Sequence, residues 1–141
     1  MQVTRQLGHN VAKKTSSKRP KSRQTLRSTC PVAAALDVLG DRWTLLVLRD
    51  LFWGKSRYGE FLASPEGIPT NILADRLVRL EECGLASASP YQDNPPRFEY
   101  KITAKGRGLL PTLLSLTKWG EKHFPGTKAQ YQSPQPNPTN P

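Results

Sequence analysis

The chain has 141 residues, with 21 Lys or Arg against 11 Asp or Glu and a formal net charge of +10. That length fits one domain with one core plus tails. No apolar run approaches the roughly 18 residues needed to span a bilayer, and there is no signal-peptide core, so the cytoplasm is the expected location.

The positive charge is unevenly spread. Residues 1–29 hold eight basic side chains and no acidic one, leaving 13 basic against 11 acidic in the remainder. This segment is rich in Ser, Lys and Arg and too poor in apolar groups to offset the entropy of ordering, so it reads as a disordered basic arm drawn to polyanions such as nucleic acid. A solubilising leader or an Arg- and Ser-rich transit peptide are the other readings of the same composition.

"CPVAAALDVLG" (30–40) predicts a short helix with Pro31 at its first position, Ala33, Leu36 and Leu39 on an apolar side, and Gly40 past its end. "DRWTLLVLRDLFWG" (41–54) predicts a more fully apolar, buried helix, and "SRYGEFLAS" (56–64) a third, shorter one. "PEGIP" then breaks the chain. In "TNILADRLVRLEECGL", Leu73, Leu77 and Leu80 follow the i, i+4, i+7 spacing of one buried stripe. The opposite side carries Asn71, Asp75, Val78, Arg79 and Glu82, with Thr70 and Arg76 on the flanks: either a solvated outer face or a recognition surface.

After Gly84 the period changes. Phe98, Tyr100 and Ile102 alternate with Arg97, Glu99 and Lys101, predicting a β-hairpin turned by "QDNPP". Residues 104–124 return to helical spacing through Leu109, Leu113, Leu116 and Gly120, and Pro111 means that this helix starts late or bends. Its apolar stripe packs on its own domain or forms a subunit interface. "PGTKAQYQSPQPNPTNP" (125–141) has five prolines and reads as a flexible tail. The three Trp, four Phe and four Tyr are sufficient to build the core.

The expected fold class is therefore mainly α with a small β-hairpin. Three helices, a hairpin and a flanking helix on each side follow the order of a winged helix-turn-helix, in which the third core helix enters a DNA major groove. Chemistry of other kinds finds little support. Cys30, Cys83, His9 and His123 lie too far apart in sequence for a compact metal-ligand pattern, and there is no glycine-rich phosphate loop, nucleophile elbow or internal repeat, so no metal or cofactor is expected. An enzyme using Cys30 as nucleophile lacks a recognisable His partner. An RNA-binding or ribosome-associated protein would also suit the basic arm, but Phe98 and Tyr100 are needed for packing rather than for stacking bases.

The pieces "CPVAAALDVLGDRW", "LLVLRDLFWGKSRYGEFLAS", "GIPTNILADRLVRLEECGL", "PPRFEYKIT" and "KGRGLLPTLLSLTKWGEKH" resemble, in order, the HxlR-type winged-helix transcriptional regulators of bacteria, relatives of the MarR group. The resemblance runs from Cys30 to about Phe124; the arm and the tail lie outside it. It implies a non-enzymatic homodimer, paired through the first and last helices, that binds an operator in double-stranded DNA, with Val32, Leu36, Leu109, Leu113, Leu116 and Trp119 as the expected interface. In several such regulators the cysteine matching Cys30 responds to oxidants or electrophiles. The position before Pro31 fits that role, since a helix N-cap favours a thiolate; a small capping residue without chemistry is the alternative. Cys83 is expected to be an idle thiol at a helix end.

Within this scheme Thr70 and Asn71 are the expected base readers. Asp75 accepts from cytosine N4 or repels phosphates from a wrong register. Arg79 is the expected phosphate or guanine contact, and Arg76 is either a second one or a flank ion pair. Arg97 is presented to the minor groove or backbone, unless it joins a cross-strand pair near Glu99. Lys55 and Arg57 are placed to hold phosphates.

Overall fold

The computed structural model describes residues 25–129. The expectations for most of the basic arm and for the end of the tail lie outside the described residues. The elements in chain order are α1 (Pro31–Leu39), α2 (Thr44–Phe52), α3 (Tyr58–Leu62), α4 (Thr70–Glu82), β1 (Ala86–Asp93), β2 (Pro96–Ile102), α5 (Ala104–Arg107) and α6 (Leu110–His123).

Helix boundaries follow local chemistry. Pro31 opens α1, where its missing N–H costs nothing, and Gly40 closes it with an N–H donated to the Leu36 carbonyl at 2.7 Å. The Asp41 carboxylate accepts from the N–H groups of Trp43 and Thr44 at 2.9 and 3.1 Å, capping the start of α2. Glu60 Oε2 accepts from the N–H groups of Ser56 and Arg57 at 2.7 and 3.0 Å, the reciprocal half of a capping box at α3. Gly67, at φ +66°, supplies the left-handed conformation that turns α3 into α4.

The core is aliphatic around one ring. Leu73, Leu77 and Leu80 of α4 are buried against Val47, Leu48 and Leu51 of α2, with Phe61, Ile68, Leu85 and Ala86 completing the cluster. The aromatics expected to build this core contribute less than their number implied: Trp43 and Tyr100 pack at its margin, while Trp53 and Trp119 are exposed. Phe61 meets Tyr100 edge-on, with ring centroids 6.4 Å apart.

The hairpin is antiparallel, pairing Ala86 with Ile102 through Pro90 with Phe98, then Gln92 with Arg97. The shift between Pro90 and Gln92 leaves Tyr91 without a cross-strand partner, as at a bulge. The alternation of Phe98, Tyr100 and Ile102 reaches the core only at the hairpin's base. Tyr100 and Ile102 pack against the core, whereas Phe98 extends beyond it and is exposed.

The helix expected over 104–124 is divided. α5 ends at Arg107, capped by Gly108, and α6 begins at Leu110 with Pro111 in its first turn, where a proline breaks no helical hydrogen bond. Starting late rather than bending resolves the proline. Neither α1 nor α6 contains a fully buried residue.

Candidate nucleic-acid interface

The recognition candidate α4 has two sharply different sides. Opposite its buried leucines, Asn71, Ala74, Asp75, Val78 and Glu82 are all exposed, and Val78 keeps 52% of its surface accessible. Four of these, 71, 75, 78 and 82, follow the i, i+4, i+7 spacing of a single ridge. No side chain caps the helix start at Pro69, so first-turn N–H groups are free to receive an anion. Ala74 and Val78 were not singled out as site residues from the sequence. Apolar side chains beside Asn71 and Asp75 fit contact with a thymine methyl; helical spacing already puts Val78 on the outer side, and exposure adds Ala74 to it.

The start of α4 is anchored by α3, where the Tyr58 hydroxyl donates to the Thr70 carbonyl at 2.6 Å. The turn between these helices is held from below by a polar cluster. Arg49 donates to both oxygens of Glu66, at 2.6 and 2.9 Å, and to buried Asp50 at 2.9 Å. The Asp50 carboxylate also accepts from Ser64, and Lys55 Nζ lies 2.5 Å from Ser64 Oγ and 3.5 Å from Asp50 Oδ2. The hydrogen bonds from Arg49 hold the Glu66 carboxyl below the usual carboxylate range.

The basic residues expected at the DNA fall into two groups. Lys55 is turned inward to Asp50 and Ser64. Arg57 stacks over the Tyr91 ring at 4.0 Å and pairs with Glu99 at 3.2 Å. Arg76 donates to Asp41 at 2.8 Å and also to Asp75, so the flank ion pair considered from the sequence is present. Arg79 donates to the Asp37 carbonyl at 3.0 Å. Arg97, in contrast, is exposed and its side chain forms no hydrogen bond or ion pair among the described residues; Glu99 pairs with Arg57 instead.

The wing is stitched to the helices. Tyr100 N–H donates to the Ser56 carbonyl at 2.8 Å, and Arg57 forms an isolated bridge with Glu99, so the stretch before α3 runs beside β2. This places Arg97 at the far end of the hairpin, on the strand alongside the helix-turn-helix.

Residues 38–128 match the HxlR-like helix-turn-helix family model. The chain belongs to that family. Members of the HxlR-like family are helix-turn-helix transcriptional regulators, not enzymes. An uncharacterised HTH-type transcriptional regulator of Mycobacterium tuberculosis is 44% identical over 94 residues, covering 67% of this chain and 59% of the relative's length. A Synechocystis regulator of the same description is 41% identical over 91 residues, covering 64% of this chain and 67% of its own. Among solved structures, the redox regulator HypR in its oxidised form superposes with a TM-score of 0.60 at 35% identity, over 66% of this chain and 96% of HypR. This HxlR-like fold is a winged helix-turn-helix: α3 and α4 form the motif and β1–β2 the wing.

Cys30 occupies the N-cap position of α1, is exposed, and makes no side-chain capping bond. Cys83 closes α4 and packs against the core cluster. The expected pairing residues divide by exposure: Val32, Leu36, Leu116 and Trp119 are exposed, while Leu109 and Leu113 are half-buried.

Proposed function

We propose that this HxlR-like protein is a sequence-specific DNA-binding repressor that acts as a homodimer on an inverted-repeat operator. The observation that carries the reading is the two-sidedness of α4: its leucines are core, and its opposite ridge of Asn71, Ala74, Asp75 and Val78 is open along its length. Two copies entering successive major grooves about 34 Å apart would read half-sites spaced by roughly 10 bp. Thr70 and Asn71 read base edges, Asp75 selects against wrong registers, and Arg97 in each wing contacts backbone or minor groove.

The dimer forms through α1 and α6, whose exposed Val32, Leu36, Leu116 and Trp119 would otherwise leave a large apolar surface in water. An operator within a promoter excludes polymerase when occupied, which is repression. The signal is a small oxidant or electrophile acting at Cys30. Its exposure at the start of α1 makes it accessible, and the similar HypR is described as a redox regulator and was solved in oxidised and reduced forms. With no membrane-spanning helix among the described residues, such a regulator would work in the cytoplasm.

Gel shifts against the DNA upstream of its own coding sequence, across a salt series and with RNA as competitor, test the assignment. Sequence-specific, salt-sensitive shifts that diamide reverses are expected, with the reversal absent in Cys30→Ser. Preference for RNA, or equal binding to all duplexes, would contradict it.

A further inference from the structure

Arg76 and Arg79 stand about one turn apart on a single flank of α4, and each reaches one side of the α1–α2 junction. Arg79 Nη2 donates to the Asp37 carbonyl at 3.0 Å, in the last turn of α1, where carbonyls lack helical partners and a cation complements the dipole. Arg76 Nε donates to Asp41 Oδ1 at 2.8 Å, the carboxylate that also caps α2. The Asp37 carboxylate is held in turn by Arg27 at 2.9 Å. Little else fixes α1: it has no buried residue, and only Val38 and Leu39 of its nine residues pack against the core cluster.

We propose that Arg76 and Arg79 are positioning residues, which set the angle between α1 and the recognition helix and thereby the half-site spacing that the dimer accepts. The inference rests on the homodimer reading above, in which α1 lies at the two-fold axis. It assigns these arginines a role distinct from touching DNA, and the two roles leave opposite signatures. A phosphate contact contributes to the salt dependence of binding and leaves spacing unchanged. A bracket between α1 and α4 controls spacing and leaves the salt dependence unchanged.

The test uses the full chain and a pool of inverted half-sites at stepped spacings, read together with a salt series. The wild type should lose roughly tenfold in affinity when spacing changes by one base pair. In Arg79→Ala and in Asp41→Asn, which keeps an acceptor for capping α2, that penalty should fall to about threefold or less, with single half-site binding and the salt slope retained. Arg79→Lys, which keeps a cationic donor for the Asp37 carbonyl, should restore most of it. An undiminished spacing penalty in either of the first two variants overturns the inference, and a lowered salt slope in Arg79→Ala would assign that arginine to phosphate. A wild type with no spacing optimum would defeat the dimeric-operator reading itself, and this inference with it.

Discussion

The hydroxyl of Tyr58 donates to the backbone carbonyl of Thr70 at 2.6 Å, so the first helix of the motif holds the first turn of the second. That turn carries Asn71, the base reader proposed above. A single exposed phenol thus ties α3 to the start of α4. Tyr58→Phe removes the bond and keeps the ring. It should cost about 0.5–1.5 kcal/mol of stability by denaturant titration and weaken specific binding more than non-specific binding.

Asn71→Ala should change which sequence is preferred rather than whether DNA is bound. The loss at its base pair should be on the order of 1–3 kcal/mol, measured by competition between single-base operator variants. Equal losses on specific and random DNA would remove Asn71 from the role of base reader.

Arg97→Ala should weaken binding to all duplexes alike and lower the slope of log affinity against log salt by about one per protomer. Its exposure without a protein partner among the described residues is the reason; Arg57, already committed to Tyr91 and Glu99, should give a smaller change.

Asp41 predicts an acid-sensitive junction. Burial alone would raise its pKa, but hydrogen bonds from Thr44, Arg76 and the N–H groups of Trp43 and Thr44 outweigh that and hold it well below the ordinary value of 3.8. A depressed folded-state pKa gives stability that is fully present above the unfolded value and is lost as pH falls toward the folded one. Thermal unfolding should therefore show an Asp41 contribution that is level at neutral pH and declines below about pH 4. Asp41→Asn should be less stable than wild type at pH 7, with the difference shrinking as pH falls through that window.

How much of this was legible in the sequence depends on the range of the interaction. Leu73, Leu77 and Leu80 announce a buried stripe because helical period is local, and Pro31 and Gly40 mark the ends of α1 for the same reason. Pro111 signalled a break and left its place open; a four-residue α5 before it decided the matter. Side-chain partners were far less visible. Arg76 and Asp41 are 35 residues apart and Arg57 and Glu99 are 42 apart, so no local pattern says which acid takes which arginine. For that reason the sequence left Arg76 open between a DNA contact and a flank ion pair, and offered Lys55, Arg57 and Arg79 as DNA contacts although each makes contacts within the protein. Ala74 was obscured differently: a small apolar residue on a helix gives no sign of a role until its exposure is known, whereas helical spacing alone already puts Val78 on the outer side.

The proposed regulation depends most on α4 entering duplex DNA through its Asn71–Val78 ridge, twice per complex. Methylation interference on an operator isolated from the chain's own upstream DNA tests this directly, since N7 of guanine faces the major groove. Two interfering clusters about 10 bp apart are expected, with the pattern altered in Asn71→Ala and preserved in Arg97→Ala. Interference confined to the minor groove, or a single cluster that Asn71→Ala leaves unchanged, would contradict it.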